Sequence, residues 1–184
     1  PHDSEPAWSP DKSQICFVRS NRIYVVNVDG SDVRPLTDGY DYSPAWSPDG
    51  TRIAFVSDRD GSQDIFIMDA DGTNEVNLTN DGPNNWRGGK MSASPAPAWS
   101  PDGSQIVFSS LRSGNWDLYV VSAAGGRPSL LLADSSEDLA PSWAPNGEEL
   151  VFASNRKGKG QWQIFKWRVG DPAVVNISNS PYAD

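Results

Sequence analysis

The sequence is poor in the residues that enzymatic chemistry and covalent stapling most often use. Cys16 is its one cysteine, so no disulfide can form within the chain and the redox compartment is left open. His2 is its one histidine and stands in a terminal tail, so no imidazole is positioned for a Ser-His-Asp or Cys-His arrangement. No G-x-S-x-G, H-E-x-x-H, phosphate-loop or dinucleotide fingerprint occurs. Carboxylate-pair hydrolysis stays open, because 24 acids always offer pairs, yet no spacing singles one out. No stretch approaches the ~20 apolar residues of a membrane-spanning helix. The N-terminus lacks the basic and apolar regions of a signal peptide, although a leader already removed would leave the same sequence. Positive charge is also scarce. Fifteen Lys and Arg are scattered among 24 Asp and Glu, a net charge of −9, which argues against nucleic acid and for a neutral or basic partner.

What is present is regular. Sixteen Gly, 15 Pro and eight Trp are spread along 184 residues, the composition of many short strands joined by turns. Pro6-Ala7-Trp8-Ser9-Pro10-Asp11 returns as Pro44-Ala45-Trp46-Ser47-Pro48-Asp49-Gly50, as Pro97-Ala98-Trp99-Ser100-Pro101-Asp102-Gly103, and as Pro141-Ser142-Trp143-Ala144-Pro145-Asn146-Gly147. A period of about 40–50 residues marks a stacked repeat architecture. In the second copy the motif leads into a strand (Ile53 to Val56), then a polar loop with Arg and Gly (Ser57 to Gln63), and a second strand (Asp64 to Met68). An Asp-Gly turn and a short strand ending in Leu78-Thr79 follow. The inner strands are apolar at successive positions, as in Ile65-Phe66-Ile67-Met68, so both sheet faces must be covered. Four-stranded blades stacked face to face meet that requirement.

These residues resemble TolB-type WD-like β-propeller repeats: the P-x-W-S-P-D-G core, the S-x-R-x-G loop, the D-I-F or D-L-Y strand and the final L-T. The resemblance implies an all-β fold, one β-propeller domain over 1–184, with four blades of four antiparallel strands at approximately 3–40, 41–93, 94–137 and 138–184. The family's namesake has six such blades and a separate domain, so the four form either a four-bladed ring or part of a larger, six-bladed one. The repeats are whole, so a four-bladed ring would close by packing blade one on blade four without strand exchange, whereas a homodimer would complete a larger ring. The first unit lacks the Arg-Gly loop, which predicts a tight hairpin at Ser20-Asn21.

The four motif Trp residues are predicted core. Each covers ~150–250 Å² when buried, a gross ~4–6 kcal/mol at ~25 cal/mol/Å². Cys16 falls at the place of Ala54, Val107 and Val151 and reads as a small buried hydrophobe. Strand alternation puts the Pro-Asp-Gly and Asp-Gly turns on one face. The opposite face carries the Arg loops, with Arg59, Arg112 and Arg156, the matching Trp116 and Trp162, and the links between blades. The long link from Thr79 to Pro97 holds Trp86, Arg87 and Lys90, the composition of an interaction hot spot. The Arg residues brace their loops against Asp64 and Asp117, or else touch a ligand. Asp3, Asp41 and Asp138 stand three residues before the repeat Pro, and propeller geometry brings them toward the axis. There they either cap their own turns or gather as an oxygen site for Ca²⁺ at the channel mouth.

The functional expectation is a non-catalytic binding scaffold, a protein–protein interaction module of the bacterial envelope, periplasmic or extracellular by the family resemblance. A small-ligand or carbohydrate binder stacking on Trp86, Trp116 and Trp162 is a second reading. A third is the propeller part of a larger peptidase whose catalytic domain lies outside this chain.

Overall fold

The computed structural model describes residues 2–80, 96–158 and 161–179. Sixteen strands form four separate antiparallel sheets, each from consecutive strands in simple meander order, and no helix occurs among the described residues. Blade one is β1 (Asp3–Trp8), β2 (Gln14–Arg19), β3 (Arg22–Asn27) and β4 (Arg34–Pro35). Blade two is β5 (Asp41–Trp46), β6 (Arg52–Ser57), β7 (Asp64–Asp69) and β8 (Val76–Asn77). Blade three is β9 (Ala98–Trp99), β10 (Gln105–Ser110), β11 (Asp117–Ser122) and β12 (Ser129–Leu132). Blade four is β13 (Asp138–Trp143), β14 (Glu149–Ser154), β15 (Gln163–Arg168) and β16 (Val174–Asn176). The fold is the β-propeller that the repeat predicts.

The repeat residues earn their places by local hydrogen bonding. In the Ser-Pro-Asp-Gly turn, Ser47 Oγ donates to Asp49 Oδ1 at 2.6 Å and accepts from the Arg52 amide at 2.9 Å, while the Thr51 amide donates to Asp49 at 3.0 Å. Thr79 Oγ1 accepts from the Ile65 amide at 2.9 Å and donates to Asp64 at 2.8 Å, which ties the outermost strand to its neighbour. Thr37 Oγ1 likewise accepts from the Ile23 amide at 3.0 Å. The first blade has the two-residue hairpin: Arg19 pairs with Arg22, and Ser20 and Asn21 take φ of 52° and 60°, the left-handed pair of a type I′ turn.

Three apolar clusters fill the spaces between consecutive blades. Cys16, Val18, Ile23 and Val25 of blade one meet Ile53, Phe55, Phe66 and Met68 of blade two, and the next two interfaces repeat the scheme. Cys16 is fully buried, as its repeat position predicts. The turns also dock in series. A Cβ placed on Gly72 would lie 2.9 Å from the Leu36 carbonyl of blade one, so the Asp-Gly turn of one blade seats directly on the Leu-Thr strand of the one before.

The motif Trp residues differ from the expectation of a uniform core. Trp99 is 8% exposed and its Nε1 donates to the Ala45 carbonyl of blade two at 3.0 Å, whereas Trp8 is 56% exposed. The reason is directional: each motif Trp packs on the preceding blade, and none precedes Trp8 in the structure. Among the described residues no strand of blade four contacts a strand of blade one.

Candidate functional site: the loop-bearing face

The loop-bearing face is organised by a clasp at the start of the inner strand in blades one, two and four. The register of β5 on β6 sets Asp41 opposite Ser57, two residues before Arg59. Arg59 Nη2 reaches both Asp41 oxygens at 2.9 and 3.0 Å, its Nε donates to Ser57 Oγ at 2.8 Å, and its Nη1 meets Glu75. Blade four repeats this: Arg156 Nη2 lies 2.9 and 3.0 Å from the Asp138 oxygens, and Nε lies 3.0 Å from Ser154 Oγ. The Ser of the S-x-R motif is therefore the acceptor that folds the arginine back over its own blade. There the guanidinium carbon sits 4.8 Å from the Phe66 ring centre and, in blade four, 5.0 Å from that of Phe165.

Blade one lacks the motif yet has the clasp. Arg19, at the register position of Ser57, holds Asp3 with two parallel bonds of 2.7 and 2.6 Å and lies 5.1 Å from the Phe17 ring centre. Arg112 of blade three bonds Ser110 Oγ at 3.1 Å and the Thr79 carbonyl at 3.3 Å, and lies 3.9 Å from Asp64 of blade two. The arginines thus brace their loops, but Arg59 and Arg156 take the inner-strand carboxylates rather than the Asp that opens the third strand. Asp64 is bonded by Ser62 and Thr79, and Asp117 by Ser113.

Burial decides how the clasps differ electrostatically. Asp138 is fully buried, and desolvation pushes its carboxyl above the ordinary value despite bonds from Ser154 and Arg156. Asp3 lies at the surface, where the hydrogen bond from Arg19 holds it below. Asp3, Asp41 and Asp138 each have an arginine as cation. Among the described residues no three His, Cys, Asp or Glu side chains converge to hold a metal ion.

The aromatic rim lies beside these clasps. Trp116 and Trp162 are half-buried, and the Trp116 carbonyl accepts the Asp138 amide at 2.7 Å, so this residue also seats the next blade. Asn21 plays that part for Asp41 at 2.9 Å. Trp86, Arg87 and Lys90 lie outside the described residues. The structure adds Tyr40, 63% exposed in the link between blades one and two, which the sequence signals only as an aromatic immediately before a recurring Asp. Inner-strand bulges at Glu5, Ser43 and Ala140, with φ of 53°, 52° and 51°, leave no motif of their own. At one of them the Glu5 carboxylate accepts the Ser43 amide of the neighbouring blade. Cys16 offers no nucleophile, since burial pushes its thiol up to about 12.

The sequence pattern of the TolB beta propeller domain matches residues 2–95 and 88–183, and the chain belongs to that family. No curated protein gives a match. Among solved structures, a putative TolB from Agrobacterium tumefaciens superposes with a TM-score of 0.81 at 24% identity over 100% of this chain and 64% of that one. A puromycin-hydrolyzing peptidase of Mycobacterium tuberculosis gives 0.72 at 21% over 99% of this chain and 32% of that one. A nidogen/laminin complex gives 0.67 at 16% over 94% and 63%. The chain therefore spans less than two thirds of each of these, and at such identities the likeness is one of fold.

Proposed function

We propose that this chain is a non-catalytic scaffold that binds a protein partner over its loop-bearing face. The observation that carries this reading is the contrast between the two faces. On the turn face, the Ser and Asp of three successive turns are consumed by bonds within their own turn, as in Ser9 to Asp11, Ser47 to Asp49 and Ser100 to Asp102, each at 2.6 Å. The loop face varies from blade to blade and offers Tyr40, Trp116 and Trp162 beside arginines already fixed in place, a composition that suits a preorganised interface. Net charge of −9 favours a neutral or basic partner. Trp86, Arg87 and Lys90 are proposed to extend the same surface.

Family membership supports an envelope location, periplasmic or extracellular, and the described residues contain no helix long and apolar enough to cross a membrane. The similarity to a propeller within a peptidase supports a second reading, in which the chain gates or docks for a catalytic domain elsewhere. Cross-linking in envelope extract, followed by mapping of the linked residues, tests the first. Links to a partner should fall on the loop face, while turnover of a peptide or ester by this chain, abolished by one substitution in it, would refute a non-catalytic role.

A further inference from the structure

On the turn face the Ser and Asp side chains bond within their own turns, but the grooves between successive turns differ. The groove between blades two and three is filled from inside the chain. Arg52 leaves the Ser-Pro-Asp-Gly turn of blade two and crosses to blade three. There its guanidinium carbon lies 5.2 Å from the Trp99 ring centre and its Nη1 donates to the Ala123 carbonyl at 3.1 Å. A planar cation over an indole, with a carbonyl to receive its N–H, is a recognition site closed on itself.

Between blades three and four the same parts recur without the cation. Gln105 follows its turn as Arg52 follows that of blade two, and Trp143 takes the place of Trp99. Val169 takes the place of Ala123: its amide donates to the Glu148 carbonyl at 3.0 Å, as that of Ala123 donates to Ser104 at 2.9 Å. Pro101, Asp102, Gln105, Trp143 and Asn146 border an open groove of about 300 Å³. Among the described residues no cation lies over the Trp143 ring, and its Nε1 is buried without an acceptor, whereas Trp99 Nε1 has the Ala45 carbonyl. Gln105 is exposed and carries no charge. Glutamine at this place in blade one turns to its own sheet, where Gln14 Nε2 donates to Asn27 at 3.1 Å. The groove also favours positive charge, because the hydrogen bond from Ser100 holds the Asp102 carboxyl at about 2 and keeps it ionised.

We propose that this groove binds an arginine side chain of a partner protein, its guanidinium stacked on Trp143 as that of Arg52 is stacked on Trp99. The Val169 carbonyl then receives an N–H, as the Ala123 carbonyl does. Guanidinium suits the site better than ammonium, since its flat face covers the indole while its edge still donates. Both walls belong to blades three and four, between which no further blade packs. The site lies opposite the loop-bearing face and stands apart from binding there.

Titration of the isotope-labelled chain with acetyl-arginine methylamide, followed by nuclear magnetic resonance of the indole N–H signals, tests this. The Trp143 signal, identified by its loss in Trp143→Phe, should shift with a Kd in the millimolar range. At equal ionic strength the uncharged isostere acetyl-citrulline methylamide should bind at least about tenfold more weakly. The lysine derivative should also bind more weakly, and free arginine no better than the capped form that mimics a chain. Gln105→Arg should lay an internal guanidinium over Trp143 and abolish the shift, while Gln105→Ala should preserve it. Position 105 is exposed, and circular dichroism checks that both variants fold. The ligand series on the wild type needs no substitution. A Trp143 signal that stays still, equal binding of citrulline, tighter binding of the lysine derivative or of free arginine, or unchanged binding in Gln105→Arg would overturn the proposal.

Discussion

The guanidinium of Arg156 and the carboxylate of Asp138 meet at 2.9 and 3.0 Å where blade four begins, with Asp138 wholly out of solvent. Removing one partner of such a buried pair strands the other charge, at a cost of about 3–5 kcal/mol. Arg156→Ala should therefore destabilise by that order, and Asp138→Asn by less, since it leaves a neutral group and Arg156 keeps Asp134 at 3.3 Å. The pH dependence has a definite sign. The Asp138 carboxyl is raised in the folded state, so its contribution is most favourable below its unfolded value and declines as pH rises through the folded one. The deficit of Arg156→Ala, measured by urea unfolding, should shrink on acidification.

The same clasps bear on cation binding. With Arg19, Arg59 and Arg156 holding Asp3, Asp41 and Asp138, melting temperatures in calcium and in chelator should coincide. A calcium-dependent rise that is lost in Asp41→Ala with Asp138→Ala would show instead that an ion displaces the guanidinium groups.

Seating of one blade on the next can be weighed with a matched pair of glycines. Gly72 has φ of +93° and a Cβ there would press on the Leu36 carbonyl at 2.9 Å, whereas Gly30, with φ of +84°, has nothing within 4 Å. Gly30→Ala should cost only the left-handed backbone penalty, about 1–2 kcal/mol. Gly72→Ala should cost about 1–3 kcal/mol more, because backbone must move at an interface. Equal losses in chemical denaturation would mean that the interface yields freely.

Acid should loosen the turn face. Hydrogen bonds from Ser47 and Ser100, and then from the backbone amides of Thr51 and Ser104, hold Asp49 and Asp102 at about 2 against an ordinary 3.8. Their stabilising effect is present above the ordinary value and lost as pH falls through the folded one. Thermal stability should therefore drop between about pH 4 and pH 2, and Asp49→Asn with Asp102→Asn should flatten that drop. Asn146 already fills this place in blade four, bonding the Glu148 amide at 3.0 Å without a titrating group.

Local chemistry is what the chain made legible. The turn residues, the Leu-Thr ties and the Ser20-Asn21 hairpin each follow from neighbours within a few positions. The clasp was half visible: Asp41 and Arg59 both stood out as recurring residues, but their pairing spans a strand hairpin and needs the register of β5 on β6. Arg19 was hidden because it acts from the position of a serine, and the bulges at Glu5, Ser43 and Ala140 have no common residue type. Trp8 was misplaced because its burial depends on a blade before it, which its own repeat cannot specify.

Partner binding over the loop-bearing face is tested most directly by the affinity of a captured partner for paired variants. Trp116→Ala and Trp162→Ala leave the backbone bonds of the rim in place, and Ala124→Glu puts a charge on the exposed turn of the opposite face. By titration calorimetry, at least one Trp variant should weaken binding by about 2 kcal/mol, roughly thirtyfold, with Ala124→Glu at wild-type affinity. Full affinity in both Trp variants, with a loss in Ala124→Glu, would contradict it.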